Sequence, residues 1–284
     1  MTKLGPLIAA GRTSDVYEYG VGSVVKVPGP QVPAHWSAME AQYTAAVRQL
    51  GAPSPDVRDL VEIDGRQAIV FERIDGESMW QLMLTAPADA PALSRELAAI
   101  HRQILSTGMP HGVPSVTDRT CGKIDEAEVL SADDREAAKQ IVRDLPRGAA
   151  LLHGDLHPGN VLMGRAGPVV IDWFDAAIGH PIADVVRTSL LIRPHFGGAE
   201  PPHLPGAPPE LLDRLHRSYL AEMADLLDVP SEVVRRWESV RAAGRLAERA
   251  ETDESWLVSL WKGRDERRSS PLVEALSSAG VVEQ

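Results

Sequence analysis

The chain has 284 residues, 44% of them hydrophobic and 24% charged, enough for one large domain or for two lobes that share a cleft. With 40 acidic against 29 basic side chains the net charge is −11, which argues against nonspecific binding to nucleic acid or to an anionic membrane, since both need Lys and Arg to neutralise phosphate. Cys121 is the only cysteine, so no internal disulfide can form and a reducing compartment such as the cytoplasm fits.

No apolar run approaches the roughly 20 residues of a membrane span. Leu4 to Ala10 is too short for a signal segment and reads as a first strand. Residues 1 to 74 read as β-rich. Leu7-Ile8 leads into the small-residue loop Gly11-Arg12-Thr13-Ser14, then Val16 to Tyr19, a turn at 20 to 22, and Val24-Val25-Lys26-Val27. Strand, loop and strand make a flap whose backbone N–H groups, at Thr13 and Ser14 in particular, can cover phosphates. Lys26 interrupts an apolar strand, where an ammonium is costly unless it is paired or faces a ligand. From Ala34 to Leu50, Trp36, Glu40, Tyr43, Val47 and Leu50 recur at helical spacing, so Glu40 sits within an apolar stripe and faces inward. A strand lysine and a helix glutamate, both on inward faces, are expected to pair. Two further strands, Leu60 to Ile63 and Ala68 to Phe71, flank the tight-turn signal Asp64-Gly65 and run into Glu72-Arg73-Ile74.

From residue 77 onward the pattern is mainly helical. Leu93, Leu97, Ile100 and Ile104 form one stripe, with His101 beside it as a packing residue. Residues 107 to 131 read as irregular, with Cys121 a small apolar filler. A helix is expected over 132 to 143, and further helices over 181 to 192, 210 to 227, 231 to 250 and around Trp256 to Trp261. The Pro- and Gly-rich residues 194 to 209 read as a surface loop. The tail after Arg268 is expected to be partly disordered.

The chemistry gathers between residues 149 and 173. An apolar run feeds His153-Gly154-Asp155-Leu156-His157-Pro158-Gly159-Asn160, a hairpin turns at 164 to 167, and the return strand ends in Ile171-Asp172-Trp173. Asp155 can orient a hydroxyl and take its proton. Asn160 and Asp172 offer oxygen ligands, which suit Mg2+ together with phosphate oxygens.

These stretches resemble the aminoglycoside phosphotransferase family, the small-molecule branch of the protein-kinase-like fold, whose members carry H-G-D-x-x-x-x-N followed by I-D-W. The resemblance covers nearly the whole chain: flap, Lys26, Glu40, catalytic loop and Ile171-Asp172-Trp173 occur in the required order. It implies an α+β, bilobal fold with a nucleotide-binding lobe over 1–74 and a catalytic and substrate-binding lobe over 75–284. It further implies an adenine held by the Glu72 carbonyl and the Ile74 N–H with Phe71 behind it, ATP and Mg2+ as cofactors, and Asp184 bracing the catalytic loop. His180 departs from the family's usual acidic residue. The acceptor would lie between the catalytic loop and the C-terminal helices, where Asp125, Glu126, Glu128, Glu248, Glu251, Asp253 and Glu254 favour a cationic small molecule. An antibiotic and a resistance role are expected, with choline-, homoserine- or sugar-type metabolic kinases as the alternative and a non-catalytic nucleotide-binding protein as another.

A zinc hydrolase is the competing chemistry. His153, Asp155 and His157 alternate like metal ligands, and His180, His195 or His203 could complete a site. That reading predicts nothing about Lys26, Glu40 or the first 74 residues. A protein kinase is disfavoured as well, because only about a dozen residues separate Asp172 from the Asp184 helix, too few for an activation loop.

Overall fold

The computed structural model describes residues 4–194, 201, 203–227, 229–248 and 254–263. The chain opens with β1 (Leu7–Ala10), β2 (Ser14–Glu18), β3 (Ser23–Pro28), α1 (His35–Gln49), β4 (Val57–Ile63) and β5 (Arg66–Glu72). The five strands form one antiparallel sheet in the order β1-β2-β3-β5-β4. Strand alternation assigns its two faces. Val25, Val27, Ala68 and Val70 pack together on one side. Ile69 and Phe71 point to the other, against Ala41 of α1. Lys26 stands opposite Ile69 in the ladder and therefore also faces α1. Asp64 and Gly65 both adopt positive φ, 50° and 74°, as a tight hairpin of right-handed twist requires.

The remainder is mainly helical: α2 (Met79–Thr85), α3 (Ala90–Leu105), α4 (Val116–Glu126) and α5 (Ala132–Asp144), then β6 (Ala150–Leu152), β7 (Val161–Gly164), β8 (Gly167–Val170) and β9 (Ala177–Gly179), then α6 (Pro181–Ile192), α7 (Pro209–Met223), α8 (Ser231–Arg245) and α9 (Glu254–Trp261). β7 and β8 form a hairpin, and β6 pairs with β9. One continuous apolar core joins these helices, with α6 buried along its length.

Four sequence expectations change. Residues 116–126, read as irregular, form α4: Ser115 caps it, accepting the Asp118 N–H at 3.0 Å, and the short stripe Val116, Thr120 and Ile124 faces the core. His101 is no mere packing residue, since it is fully buried and hydrogen-bonded at both ring nitrogens. Leu50 is exposed rather than the end of the α1 stripe. The Pro-rich stretch is a surface loop only in part where it is described: Pro205, Gly206 and Pro208 are exposed, but Leu204 and Ala207 are buried, and the Trp80 indole donates to the Pro205 carbonyl at 3.1 Å. His195 and the tail after Arg268 lie outside the described residues, as do Glu251 and Asp253.

Candidate active site

β6 delivers the chain into the loop 153–160, and the loop is held from below. Asp184, in the first turn of α6, accepts the His153 N–H at 2.7 Å and the Gly154 N–H at 2.8 Å, with His101 Nε2 donating to it at 3.1 Å. Burial opposes its charge, but the His101 hydrogen bond and the nearby Arg241 hold its pKa at about 2. Gly154 has φ +82°, and a Cβ there would press into the Asp175 carbonyl, so only glycine fits. The His153 ring accepts the Asp155 N–H at Nδ1 (3.2 Å), and its Nε2 donates to the Ile171 carbonyl at 3.1 Å. His157 Nδ1 accepts the Gly159 N–H at 3.1 Å. Burial lowers the pKa of both rings, that of His157 to about 4, so both are neutral struts of the loop. The Asn160 amide donates to the Asp155 carbonyl at 2.9 Å, tying the two ends of the loop together.

Around Asp155 lies a group of charges that sequence reasoning missed. Arg187 Nη2 donates to Asp155 Oδ1 at 2.8 Å and to Glu248 Oε1 at 2.6 Å, while its Nε donates to the Gly154 carbonyl at 3.1 Å. Lys123 reaches Asp175 at 2.5 Å and Glu248 at 3.4 Å. Burial by itself would raise the Asp155 carboxyl, but the Arg187 guanidinium outweighs it and holds Asp155 well below the usual carboxylate range. The signal for Arg187 was present: it interrupts an apolar helical run, as Lys26 interrupts an apolar strand.

The expected lysine–glutamate pair forms. Lys26 Nζ lies 2.7 Å from Glu40 Oε1 and, beyond expectation, 3.2 Å from Asp172 Oδ1. Burial opposes the ammonium, but Asp172 and Glu40 together raise its pKa, so Lys26 is cationic. Asp172 adopts a left-handed conformation (φ 65°, ψ 63°), uncommon for a residue other than glycine though aspartate takes it more readily than most. Thr13 is exposed at the flap, where its carbonyl accepts the Gly29 N–H at 2.8 Å, and Ser14 begins β2. Beside them, Arg12 Nη1 donates to the Glu248 carbonyl at 3.1 Å and so bridges the flap to the helical part. Phe71 is buried at the end of β5, Glu72 accepts the Asp56 N–H, and Ile74 is half-buried beyond them.

Asn160 precedes β7 and Asp172 follows β8, so pairing of Val161 with Val170 brings both to one end of the hairpin. The Asn160 side chain spends its NH2 on the Asp155 carbonyl, which leaves its oxygen as the atom for a ligand, and the Asp172 carboxylate is 40% exposed. Two hard oxygen donors fit Mg2+. Zinc fits poorly: His153 and His157 use ring nitrogens on backbone groups, His180 Nδ1 accepts the Ile182 N–H, and His203 Nε2 lies 2.6 Å from the Leu191 carbonyl oxygen. Among the described residues no three His, Cys, Asp or Glu side chains gather as a metal cluster.

A model of the Phosphotransferase enzyme family (APH) matches residues 5–227. The chain belongs to this family. It is therefore a phosphotransferase, with the α+β, protein-kinase-like fold expected from its motifs. Comparison with curated proteins finds no match. Among solved structures, a thermostable mutant of aminoglycoside phosphotransferase APH(4)-Ia, in ternary complex with ADP and hygromycin B, is 17% identical with a TM-score of 0.64, covering 94% of this chain and 95% of that one. A choline/ethanolamine kinase family protein from Mesorhizobium loti is 18% identical with a TM-score of 0.55, covering 97% and 92%. The GDP and kanamycin complex of an APH(2") enzyme is 18% identical with a TM-score of 0.51, covering 92% and 91%. At these identities the neighbours establish the fold.

Proposed function

We propose that this phosphotransferase moves the γ-phosphoryl group of ATP to a hydroxyl of a small molecule, with residues 1–74 holding the nucleotide and 75–284 supplying the catalytic loop and the acceptor site. The observation that carries the reading is the meeting of Lys26 with both Glu40 and Asp172, at 2.7 and 3.2 Å, which joins a phosphate-binding cation to a metal-binding carboxylate. Thr13 and Ser14 of the flap cover the phosphates, Lys26 neutralises them, and Glu40 fixes Lys26. The Glu72 carbonyl and the Ile74 N–H hold the base against Phe71. Asp155 is the catalytic base. Arg187 occupies its Oδ1, so Oδ2 receives the acceptor proton. As that proton passes to Asp155, the acceptor oxygen bonds to Pγ, the bond from Pγ to the β–γ bridging oxygen breaks, and ADP leaves. Asn160 and Asp172 would hold Mg2+, which would further neutralise the phosphate oxygens.

The aminoglycosides bound by two structural neighbours support an antibiotic acceptor, and with it a resistance role. A second reading, a metabolic small-molecule kinase, is favoured by a specific observation: Lys123, Arg187, Arg241 and Arg245 cluster beside the catalytic loop, an unpromising setting for a polycation. The single cysteine suits a cytoplasmic setting, and among the described residues no helix is long and apolar enough to cross a membrane. The deciding experiment is ADP release measured with Mg-ATP and with Mg-GTP across aminoglycosides, other hydroxylated amines, polyols and hydroxy acids. Turnover with an acceptor that Asp155→Asn abolishes supports the reading. ADP release with no acceptor at all would instead mark a nucleotide-binding protein.

A further inference from the structure

Between α4, α6 and α8 lies a cavity of about 10 Å³, room for one water-sized atom, lined by Thr120, Lys123, Arg187, Arg241, Gly244 and Arg245. Four of these six residues carry cationic side chains. Among the described residues, ion pairs bring Arg119, Lys123, Arg187, Arg241 and Arg245 against Asp155, Asp175, Asp184 and Glu248. The loosest of these pairings is that of Arg241. Its Nη1 donates to the Thr120 hydroxyl at 3.3 Å, and its Nη2 is 4.0 Å from Asp184 Oδ1, an oxygen already engaged by the Gly154 N–H. Its Nε–H, in a side chain 7% exposed, has no acceptor among the described residues. A buried guanidinium with an unused donor beside a cavity is a standing cost that an entering anion would relieve. Its pKa is lowered to about 10, by burial first and by neighbouring Arg187 next.

The cavity is joined to the reaction centre, because Arg187 lines it and also donates to Asp155 Oδ1. A group seated there stands one guanidinium away from the base that would receive the acceptor's hydroxyl. The same ion pairs disfavour a cation. Asp155, Asp175 and Glu248 each already face an internal Arg or Lys, so an ammonium on the acceptor would have to displace one.

We propose that this cavity is an oxyanion subsite, and that the acceptor is a hydroxylated anion bearing a carboxylate or phosphate group. One of the group's oxygens enters between Lys123, Arg187 and Arg241. The inference rests on the phosphotransfer reading for where the hydroxyl lies, and on the cavity alone for where the anion binds.

Two measurements test it. In the first, acetate and inorganic phosphate are titrated calorimetrically at constant ionic strength into the full chain and into Lys123→Met and Arg241→Gln. Lys123 is 22% exposed and its variant keeps the test open if the Arg241 change prevents folding. Binding to wild type that is weakened in the variants is the expected result, and the tighter of the two anions tells carboxylate from phosphate. Failure of both anions to bind, or equal binding to a folded variant, overturns the subsite. In the second, ADP release is compared for hydroxy acids against their primary amides and for sugar phosphates against the parent sugars. The anionic member should show kcat/KM roughly tenfold to hundredfold higher, and Lys123→Met should shrink that ratio. A neutral or cationic member used equally well or better overturns the proposal while leaving phosphotransfer intact. No turnover with any acceptor defeats phosphotransfer itself, and the calorimetry still decides whether the cavity takes an anion.

Discussion

Arg187 clamps Asp155: its Nη2 stands 2.8 Å from the carboxylate's Oδ1, while its Nε holds the carbonyl of Gly154 one residue earlier. Asp155 is thus held in both position and charge by a single buried guanidinium. One carboxylate oxygen is occupied by Arg187, and the other, Oδ2, lies 3.9 Å from His157 Nε2.

Asp155→Asn is expected to cut turnover by roughly 10²- to 10⁴-fold, the range of general-base contributions. ATP affinity should stay nearly unchanged, since the base acts on the acceptor. Steady-state kinetics with an independent nucleotide-binding assay checks both parts, and wild-type kcat in the variant would remove Asp155 from the mechanism.

Loss of the clamp should show in the pH profile. In wild type the Asp155 pKa is depressed, so kcat should hold steady as pH falls through the ordinary carboxylate range. Arg187→Met removes the depressing charge and leaves burial to act, so the Asp155 pKa rises and an acidic limb should move up into the measured range. A merely structural role for Arg187 would lower activity without moving that limb.

Lys26→Met should weaken productive use of ATP by roughly tenfold to hundredfold, the effect of losing hydrogen bonds between charged groups. Glu40→Gln should act in the same direction but more mildly, since Asp172 still faces Lys26. Indifference of turnover to both changes would mean that the sheet's inner face has been misassigned.

Asp172→Ala should abolish Mg2+-dependent turnover, and the purified chain should carry no stoichiometric zinc by elemental analysis. One equivalent of zinc, with activity restored by zinc alone after chelation, would overturn the phosphotransfer mechanism.

Stability should fall on mild acidification. Burial lowers the pKa of His157 to about 4 and that of His216 to about 3, and it lowers His153 as well, against roughly 6.5 in an unfolded chain. Between those values the unfolded state binds more protons, so stability is fully present above about pH 6.5 and is lost as pH drops toward the folded values. The melting temperature should therefore decline between pH 6.5 and 4, before Asp184, at about 2, begins to protonate. A melting temperature that stays flat over that interval would mean that these rings take up protons in the fold as readily as in the unfolded chain.

Lys26 and Glu40 were legible because each is a charge set into an apolar pattern of known period, and such a pattern predicts both the face and the need for a partner. The loop 153–160 was legible from residue types at fixed spacing. The helix 116–126 was not, because its inward stripe is short and half polar and its clearest signal is the Ser115–Asp118 cap. Glu248 was read as part of an acidic wall facing the acceptor, whereas it is bound to Arg187 and Lys123. That pairing spans 61 residues of sequence, and no local period encodes it. The second partner of Lys26, Asp172, was hidden for the same reason.

The Trp36 ring of α1 lies 4.5 Å from that of Phe174, two residues past Asp172, and the Arg119 guanidinium sits 5.3 Å from the other ring in the same pair, Phe174, while donating to its carbonyl at 2.8 Å. Helix α1 is thereby stapled to the turn that presents Asp172, with α4 as backing. In kinases at large, activity can be switched by swinging the glutamate-bearing helix away from its lysine. Here such a swing would have to unstack Trp36 and strip Phe174 of its cover. The meeting of Lys26, Glu40 and Asp172 is thereby held by packing that any displacement of α1 would have to break.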